Sequence, residues 1–477
     1  MFGKGLPRPT EEQARMIQLA DNRNQVILGA AGSGKSVVAA YRALRLKARY
    51  TDKNIVVLTM NREIMEQIKK QIHDIDITVN TMYSYCQNLM YNYYHNRNVR
   101  FAAVTSKENK DAIDNAINEI RKSYPDETLW NKVNETNSFF INEITWMQEN
   151  GISKDSRGRE KYQTITRIGR GSERISSQQR DIMFEVYLKY YEKRATAYAP
   201  KIFSYNDIYS YILDLNIPDF VKPDFIIIDE VQDFAPIMFQ ALNKIVADDC
   251  RWYVLGDVSQ NIFGQRLSWV SLGVENVRKS RLNKNYRNSY EIGMLAKQML
   301  STEYFDNKSN DFVETIPLPE YRSGKPKIKK FDGSFSDIVQ LVKQKNVDRQ
   351  SVAIITMNFN ELKELKDSLN RNGIDVNDGI TNYDGRTGVY LQTINKVKGL
   401  EFDTVIIFCL DSANYRDNAD IVSYGTLDVE RMETEDKAIV SKRIYVAVTR
   451  ARRDLVMYYK NSKLDFLFTD DKLFDLE

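Results

Sequence analysis

The sequence predicts an α/β fold made of two domains with parallel sheets, the first of which is interrupted by a helical insertion. Short apolar runs typical of buried strands alternate with helical patterns over residues 1–100, and such runs resume at Phe225 and Trp252. Between them, from about residue 108 to 200, the pattern is helical. After residue 276 strands and helices alternate again, which favours a second parallel sheet.

The individual elements follow from these patterns. In the first domain, residues 1–100 and 201–275, strands are expected at 26–28, 55–58, 77–79, 225–228 and near Trp252. In the insertion, residues 101–200, helices are expected around 112–120, 129–147 and 182–190, with Tyr187, Tyr190 and Tyr191 in the core. In the second domain, residues 276–477, strands are expected at 352–355 and 405–408 and a helix at 360–370, while 301–326 is a surface excursion.

A glycine-rich loop lies between the first predicted strand and the helix that follows it. It fits the pattern G-x-x-x-x-G-K-[ST] with Gly29, Ala30, Ala31, Gly32, Ser33, Gly34, Lys35 and Ser36. Glycines let consecutive N–H groups point at phosphate oxygens, and the helix N-terminus adds partial positive charge. Lys35 is expected to reach the outer phosphates and Ser36 to ligate Mg²⁺. The sequence therefore predicts a site for a nucleoside triphosphate.

Two adjacent carboxylates follow the predicted strand at 225–228. A lone Asp-Glu pair in such a place is usually a solvated turn, but here a phosphate loop precedes it. A strand that ends in carboxylates beside such a loop can hold Mg²⁺ through the first and orient water through the second. We therefore expect Asp229 to be a metal ligand and Glu230 to be the general base.

The stretch DEVQD at 229–233 resembles the Walker B motif of superfamily 1 helicases of the UvrD/Rep type. Further stretches resemble the family's other motifs in the same order: LPRPTEEQ (6–13) the Q motif, NIVVLTMNR (54–62) motif Ia, VNTMYSY (79–85) motif Ib, VLGDVSQ (254–260) motif III, LNKNYRN (282–288) motif IV, QTINKVKGLEF (392–402) motif V and YVAVTRAR (445–452) motif VI. The resemblance spans nearly the whole chain. It implies two RecA-like motor domains, the first split by a helical insertion, with ATP bound between them.

The resemblance also implies roles for individual residues. Around the nucleotide, Gln13 would read the adenine edge, Tyr286 would stack on adenine, Glu401 would lie nearby, Gln260 would sense the γ-phosphate, and Arg287 and Arg450 would be arginine fingers. Phosphoryl transfer needs positively charged groups around the γ-phosphate and does not need covalent chemistry from the protein. If the fingers come from the second domain, closure of the two domains on ATP becomes the motor stroke. The nucleic-acid contacts would be Thr59, Asn61, Thr81, Tyr83, Phe263, Arg266, Thr393 and Lys398.

The sequence departs from the family pattern in three places. Motif IV ends at Asn288 and motif V begins at Gln392, too close for the accessory domain that larger members insert between them. Gln265 stands where a base-stacking aromatic often follows motif III. Val37 follows the phosphate-loop serine where relatives often place an arginine against adenine. In this order, the departures affect the expected ability to separate strands, the affinity for single strands and the selectivity for the base.

Composition limits the other functional classes. The 477 residues carry a net charge of +3, so a nucleic-acid contact would have to be a local basic stripe. The best candidate is the segment 154–174, whose composition fits a phosphate-binding segment and a solvated charged loop equally well. Cys86, Cys250 and Cys409 are well separated, which fits a reducing cytoplasm. No apolar run long enough for a membrane span occurs.

These observations favour an ATP- and Mg²⁺-dependent single-stranded nucleic-acid translocase, a DNA helicase of 3′→5′ polarity. Its expected track is single-stranded or tailed nucleic acid, with DNA favoured over RNA; polarity and DNA preference come from the resemblance alone. The alternative is a nucleic-acid-sensing regulatory ATPase, the switch subunit of a larger complex (for example in genome defence) in which a protein partner supplies the effector activity. A P-loop protein without a nucleic-acid role would instead hydrolyse ATP with no response to DNA or RNA.

Overall fold

The first half of the chain folds around a parallel sheet. The computed structural model describes residues 7–72, 76–97, 102–167, 174–197, 202–260, 277–356, 360–377, 387–412 and 434–477. The strands of this sheet are β1 (Gln25–Gly29), β2 (Ile55–Thr59), β3 (Ile77–Thr81), β4 (Phe225–Ile228), β5 (Arg251–Gly256) and β6 (Arg278–Leu282). Their order across the sheet is β3-β2-β4-β5-β1-β6, and neighbouring strands are parallel.

This sheet extends past residue 276, where the sequence places the start of the second domain. Strand β6 pairs with β1 from Gln25–Arg278 to Gly29–Leu282. Because its residues are mostly charged, this strand does not stand out as an apolar run in the sequence. Such charges are common on strands at the edge of a sheet. We refer to the residues after β6 as the second domain; the predicted domain limits remain predictions.

Helices α1 (Glu11–Ile17), α2 (Lys35–Arg49), α3 (Arg62–Ile72) and α4 (Met82–His95) alternate with the first three strands. Every residue of β1 and β2 is buried, as expected for parallel strands that lie between two helical layers. Val26 and Leu28 pack in the core on one face of the sheet and Ile27 in the core on the other. Because the strands are parallel, the loops that follow them meet at one edge of the sheet.

The helical insertion contains α5 (Ser106–Ser123), α6 (Ser138–Glu149), α7 (Ser156–Thr164) and α8 (Ser177–Ala197). Tyr187 and Tyr190 are buried in its core, as predicted, whereas Tyr191 is partly buried and packs against that core. The continuous helix predicted over 129–147 is wrong. A 3₁₀ turn at Thr128–Lys132 is followed by a break, and α6 starts after Asn137, whose φ of 50° is left-handed. The polar residues 134–137 favour a turn because Asn side chains bind nearby backbone N–H groups.

A buried ion pair ties the insertion to the first domain. Arg194, near the end of α8, lies 2.5 Å from the carboxylate of Asp207, and both side chains are almost fully buried. Asp207 immediately precedes α9 (Ile208–Leu213), and α10 (Pro236–Ile245) follows β4. Breaking a buried pair by removing one partner costs about 3–5 kcal/mol because the other charge stays uncompensated. The pair therefore fixes α8 to the domain that carries the phosphate loop.

Four basic residues of the segment 154–174 have polar partners within the insertion. Arg157 pairs with Asp155, Arg159 with Asp181 and Glu185, Arg167 with the buried Glu143, and Lys161 donates to the carbonyl oxygen of Asn150. These contacts favour a role in folding the insertion over phosphate binding. Arg170 lies outside the described residues.

The second domain is built around another parallel sheet. Its strands are β7 (Lys327–Lys330), β8 (Ser351–Thr356), β9 (Val376–Asn377), β10 (Gly388–Thr393), β11 (Phe402–Phe408), β12 (Ala451–Tyr459) and β13 (Asp475–Leu476), in the order β9-β10-β8-β11-β12-β7-β13. Its helices are α11 (Tyr290–Leu300), α12 (Ser336–Val347), α13 (Asn360–Arg371), α14 (Ile394–Val397) and α15 (Thr434–Val448). Two short ladders pair Lys284–Asn285 with Ile316–Pro317 and Ala102–Ala103 with Ile202–Phe203.

The two parallel sheets confirm the predicted α/β class with two RecA-like domains. The predicted strands at 352–355 and 405–408 and the helix at 360–370 are confirmed as well. Among the helices that the structure describes, none is long and apolar enough to cross a lipid bilayer.

Candidate nucleotide site and nucleic-acid face

The phosphate loop connects β1 to α2 and needs glycine at two positions. Gly32 and Gly34 have φ angles of 74° and 83°, in the left-handed region that glycine adopts without strain. A Cβ atom on Gly32 would lie 2.3 Å from Oδ1 of Asn285. The backbone N–H of Tyr286 donates to the carbonyl oxygen of Gly32 over 3.0 Å. The tip of the loop therefore rests directly on the first residues of the second domain.

The ammonium group of Lys35 is held at the mouth of this loop. Its Nζ donates to the carbonyl oxygens of Gly29 at 3.0 Å and Ala30 at 3.3 Å. A phosphate oxygen is an ionised acceptor, and hydrogen bonds to such acceptors are about twice as strong as neutral ones. A triphosphate entering the loop can therefore replace these carbonyl oxygens as the partner of Lys35.

Ser36 and Asp229 bring two oxygen atoms together at the start of α2. The hydroxyl of Ser36 donates to Oδ2 of Asp229 over 2.5 Å. Burial and the neighbouring charge of Glu230 raise the pKa of Asp229 to about 7. A cation would relieve that unfavourable charge. Because Mg²⁺ is usually held by one or two carboxylates together with substrate phosphates, this pair of oxygen donors fits it.

Glu230 lies in a strained part of the loop after β4. Its φ of 53° is left-handed, a conformation that costs a non-glycine residue about 1–3 kcal/mol and that is frequent at functional sites. Burial would by itself raise its pKa, but the charge of Lys35 and a 2.5 Å hydrogen bond from Gln232 outweigh it and lower the pKa of Glu230. The carboxyl group is therefore ionised at neutral pH, as a general base must be.

A chain of hydrogen bonds behind the carboxylates connects them to the predicted γ-phosphate sensor. Oε1 of Gln232 accepts from the N–H of Asp257 at 3.0 Å, and Nε2 of Gln260 donates to Oδ2 of Asp257 at 2.7 Å. No role is expected for Gln232 or Asp257 from the sequence alone. Their positions inside the matched motifs are the one signal that could have identified them.

Two arginines of the second domain reach the same cavity as Lys35. Arg450 is fully buried, and its guanidinium donates to Oε1 of Gln260 over 3.0 Å. Nε of Arg287 donates to Oε2 of Glu401 over 2.6 Å. Burial and the nearby charge of Arg287 lower the pKa of Arg450 to about 10, so that it is still a cation at neutral pH. The structure thus brings the side chains of the predicted catalytic set to one cavity.

Glu401 positions the arginines next to it. Burial opposes its ionisation, but Arg287 and Arg452 outweigh this effect and lower the pKa of Glu401 to about 2. Both guanidinium groups bind its carboxylate. Glu401 is expected to lie near the nucleotide, and in the structure its carboxylate orients Arg287 within the cavity.

The cavity has a volume of about 920 Å³, which is typical of small-molecule sites. Gln13 lines it close to the loop, where its Nε2 donates to the carbonyl oxygen of Ser33 at 2.9 Å and its Oε1 accepts from the N–H of Thr10 at 3.0 Å. An amide side chain has two N–H donors and two acceptor lone pairs, so one of each remains. That pair matches N7 and the N6 amino group of adenine.

Comparison with known families agrees with this geometry. The family model of the UvrD/REP helicase N-terminal domain matches residues 10–275, more than half of the chain. The chain belongs to the UvrD/Rep helicase family. The family model of the UvrD-like helicase C-terminal domain matches residues 376–462. Members of this family are ATP-dependent helicases that bind nucleic acid and use a divalent metal, usually Mg²⁺.

No curated protein matches this UvrD/Rep helicase. One similar solved structure is that of the C-terminal domain of a possible DNA helicase from Lactobacillus plantarum WCFS1. It shares 20% identity with a TM-score of 0.28, covering 40% of this chain and 98% of that one. A likeness at this level carries no information about function.

In this UvrD/Rep helicase, Lys398 lies in the cleft between the domains. Its Nζ forms an ion pair with Asp233 and donates to the carbonyl oxygen of Gln260 at 3.3 Å. Nδ2 of Asn61 donates to the carbonyl oxygen of Lys398 at 2.8 Å. Two residues predicted to bind nucleic acid therefore bind each other across the cleft, and their contact with a strand remains a prediction.

The residue after Lys398 also approaches the first domain closely. Gly399 has a φ of 83°, and a Cβ atom there would lie 2.2 Å from Cδ1 of Ile64, on α3 of the first domain. A side chain at this position would therefore collide with Ile64 unless the side chain of Ile64 or the domains moved.

The threonines predicted to contact nucleic acid share one structural position. Thr59, Thr81 and Thr393 are the last residues of β2, β3 and β10, so they lie at the carboxyl edges of the two sheets. All three are buried, and the hydroxyl of Thr81 already accepts from the N–H of Ser84 as the cap of α4. Tyr83 stacks on Tyr205, with ring centroids 4.5 Å apart. Phe263 and Arg266 lie outside the described residues, as do Gln265 and Trp269.

Proposed function

We propose that this UvrD/Rep helicase is a translocase on single-stranded nucleic acid and a DNA helicase of 3′→5′ polarity. One observation carries the proposal: Arg450 of the second domain donates to Gln260 of the first domain, over 3.0 Å, in the cavity that Lys35 lines. Hydrolysis at such a site requires a closed cleft. Binding of ATP then favours closure and loss of the γ-phosphate permits opening, which moves one domain relative to the other.

The chemistry asks for positive charge around the γ-phosphate and for a positioned water. Lys35, Arg287 and Arg450 supply the charge, and Gln260 supplies a hydrogen bond. Glu230 accepts the proton of the attacking water, since its carboxylate is ionised at neutral pH. Ser36 and Asp229 would hold Mg²⁺, which would supply further positive charge to the phosphates.

The strand is proposed to lie along the carboxyl edges of the two sheets. The support is that Thr59, Thr81 and Thr393 all end strands there and that Tyr83 is nearby at the start of α4. Contacts of this kind bind phosphate and sugar and do not read sequence. The preference for DNA and the polarity rest on the family resemblance.

A second candidate is a regulatory ATPase that senses nucleic acid as the switch of a larger complex. The observation that favours it is the short distance along the chain between motifs IV and V, which leaves no room for the accessory domain of larger relatives. In that case a protein partner supplies the effector activity or the processivity. Hydrolysis without strand separation would support this candidate, and strand separation by the protein alone would support the first.

The test is ATP hydrolysis with and without single-stranded DNA or RNA, with Glu230→Gln as the blank. Low salt is required because phosphate contacts weaken steeply as salt rises. Stimulation by one polymer identifies the track, and duplexes with a 3′ or a 5′ tail then give the polarity. Hydrolysis that responds to neither polymer would contradict the proposal.

A further inference from the structure

Position 37 in the nucleotide cavity is a valine. Val37, in the first turn of α2, lines the cavity together with Arg8. A valine offers an apolar surface but neither the charge nor the planar face of the arginine that the family resemblance implies there. A planar contact for the adenine therefore cannot come from position 37.

An aromatic side chain from the second domain lines the same cavity. Tyr321 is 46% exposed, and the cavity is also lined by Tyr286. A single exposed tyrosine on a protein surface needs no explanation. The position of Tyr321 is different, because the cavity that it lines also holds the phosphate loop and the ring predicted to stack on adenine.

Hydrogen bonds of the main chain fix Tyr321 relative to that ring. Its N–H donates to the carbonyl oxygen of Leu318 at 3.0 Å, and its own carbonyl oxygen accepts from the N–H of Tyr290 at 2.5 Å. Tyr290 begins α11, four residues after Tyr286, whose N–H is bonded to Gly32 of the phosphate loop. The two tyrosines thus belong to one framework that is anchored on the loop.

The opposite border of the cavity is fixed as well. Tyr41 lies one turn after Val37 on the same face of α2, and its hydroxyl donates to the carbonyl oxygen of Pro7 at 3.0 Å. Pro7 and Arg8 both line the cavity. This hydrogen bond holds the start of the described chain against the face of α2 that carries Val37, so the base end is bordered by fixed elements on both sides.

We propose that Tyr321 forms a second aromatic wall of the base site, on the same framework as Tyr286, and supplies a planar contact that Val37 cannot. The ligand is the purine base of a nucleoside triphosphate. The inference rests on the proposed ATP site and adds the residue that holds the base in this chain. Stacking of a base on an aromatic ring contributes roughly 5- to 150-fold to affinity.

The test compares ATP with inorganic tripolyphosphate, which has the phosphates but no base. The binding of each is measured by calorimetry with Mg²⁺ for the wild type, Tyr321→Ala, Tyr321→Phe and Tyr124→Ala. Tyr124 is a matched control because it is 40% exposed but lies in the helical insertion, away from the cavity. We expect Tyr321→Ala to weaken ATP binding roughly 5- to 150-fold and to leave tripolyphosphate unchanged. Tyr321→Phe and Tyr124→Ala should bind both ligands like the wild type.

Steady-state kinetics add a readout that a loss of folding would not reproduce. Loss of a contact made equally in the ground state and the transition state raises KM and leaves kcat unchanged, which is the expected result for Tyr321→Ala. ATP affinity of Tyr321→Ala within twofold of the wild type would overturn the inference. Equal weakening of tripolyphosphate would also overturn it, because Tyr321 would then support the loop and not the base. A wild type that binds no ATP would refute the proposed function itself.

Discussion

Replacement of Arg450 with alanine tests whether the cleft between the domains is the catalytic site. The side chain is fully buried, and its Nε also donates to the carbonyl oxygen of Val446 at 2.9 Å, so the guanidinium has a fixed direction. An arginine finger contributes about 10³- to 10⁵-fold to kcat, which corresponds to about 4–7 kcal/mol. We expect Arg450→Ala to lower kcat within this range while nucleic-acid binding is largely retained.

The same substitution also affects stability, and the two effects must be separated. Removal of the guanidinium leaves Oε1 of Gln260 and the carbonyl oxygen of Leu400 without this donor, at about 1–3 kcal/mol for each buried group left unsatisfied. Arg443→Ala is the matched control, because Arg443 is a buried arginine two turns earlier, on α15, that does not line the cavity. Arg450→Lys keeps the charge without the planar fork and should fall between alanine and the wild type.

The assay is steady-state ATP hydrolysis with saturating single-stranded DNA, below the melting temperature of every variant. The reasoning is refuted if Arg450→Ala keeps turnover within tenfold of the wild type. It is refuted as well if Arg443→Ala, while folded, loses as much turnover as Arg450→Ala, since the loss would then not come from the cleft.

Three further predictions concern groups that surround the arginine. Glu230→Gln should keep ATP binding but lose hydrolysis, which binding and turnover assays on one preparation can show; normal turnover would exclude Glu230 as the base. Lys398→Met should lower the free energy of unfolding by about 1–3 kcal/mol because it leaves the partly buried carboxylate of Asp233 without this cation, and adding Asp233→Asn should restore most of it. Additive losses in denaturant titrations would mean that the pair is not coupled. Glu401 has a pKa lowered to about 2, so its stabilising effect is present above the ordinary carboxyl pKa and is lost as the pH falls towards 2. The melting temperature of Glu401→Gln should therefore lie below that of the wild type at pH 7 and meet it near pH 2, and a constant difference would contradict this.

The parts of the fold that could be predicted are those with a strong local signal. The strands at 26–28 and 225–228 are continuous apolar runs because both faces of a parallel sheet are covered. Strand β6 gives no such signal. Leu282 is its buried residue, and its charged residues are exposed. The break in the helix expected over 129–147 depends on the single left-handed residue Asn137, which an apolar periodicity does not register.

The candidate site divides in the same way. The residues of the phosphate loop could be predicted because they form a local sequence pattern, and their chemistry depends on the backbone. The partners of Lys398 could not be predicted, because Asp233 lies 165 positions away along the chain and on another domain. The family resemblance assigns Lys398 to the nucleic acid, and the structure adds a contact beside the carboxylates that no local pattern could reveal. Tyr321 is a similar case, since it lies in a stretch that the sequence predicts to be a surface excursion.

The close approach of Gly399 to α3 has a consequence for how the motor can be controlled. At that point the backbone of one domain meets the side chain of Ile64 from the other, so a single added methyl group has to displace Ile64 or part the domains. A substitution there would act as a wedge and bias the whole molecule towards its open form. The timing of the cycle would then depend on a position that carries no catalytic group.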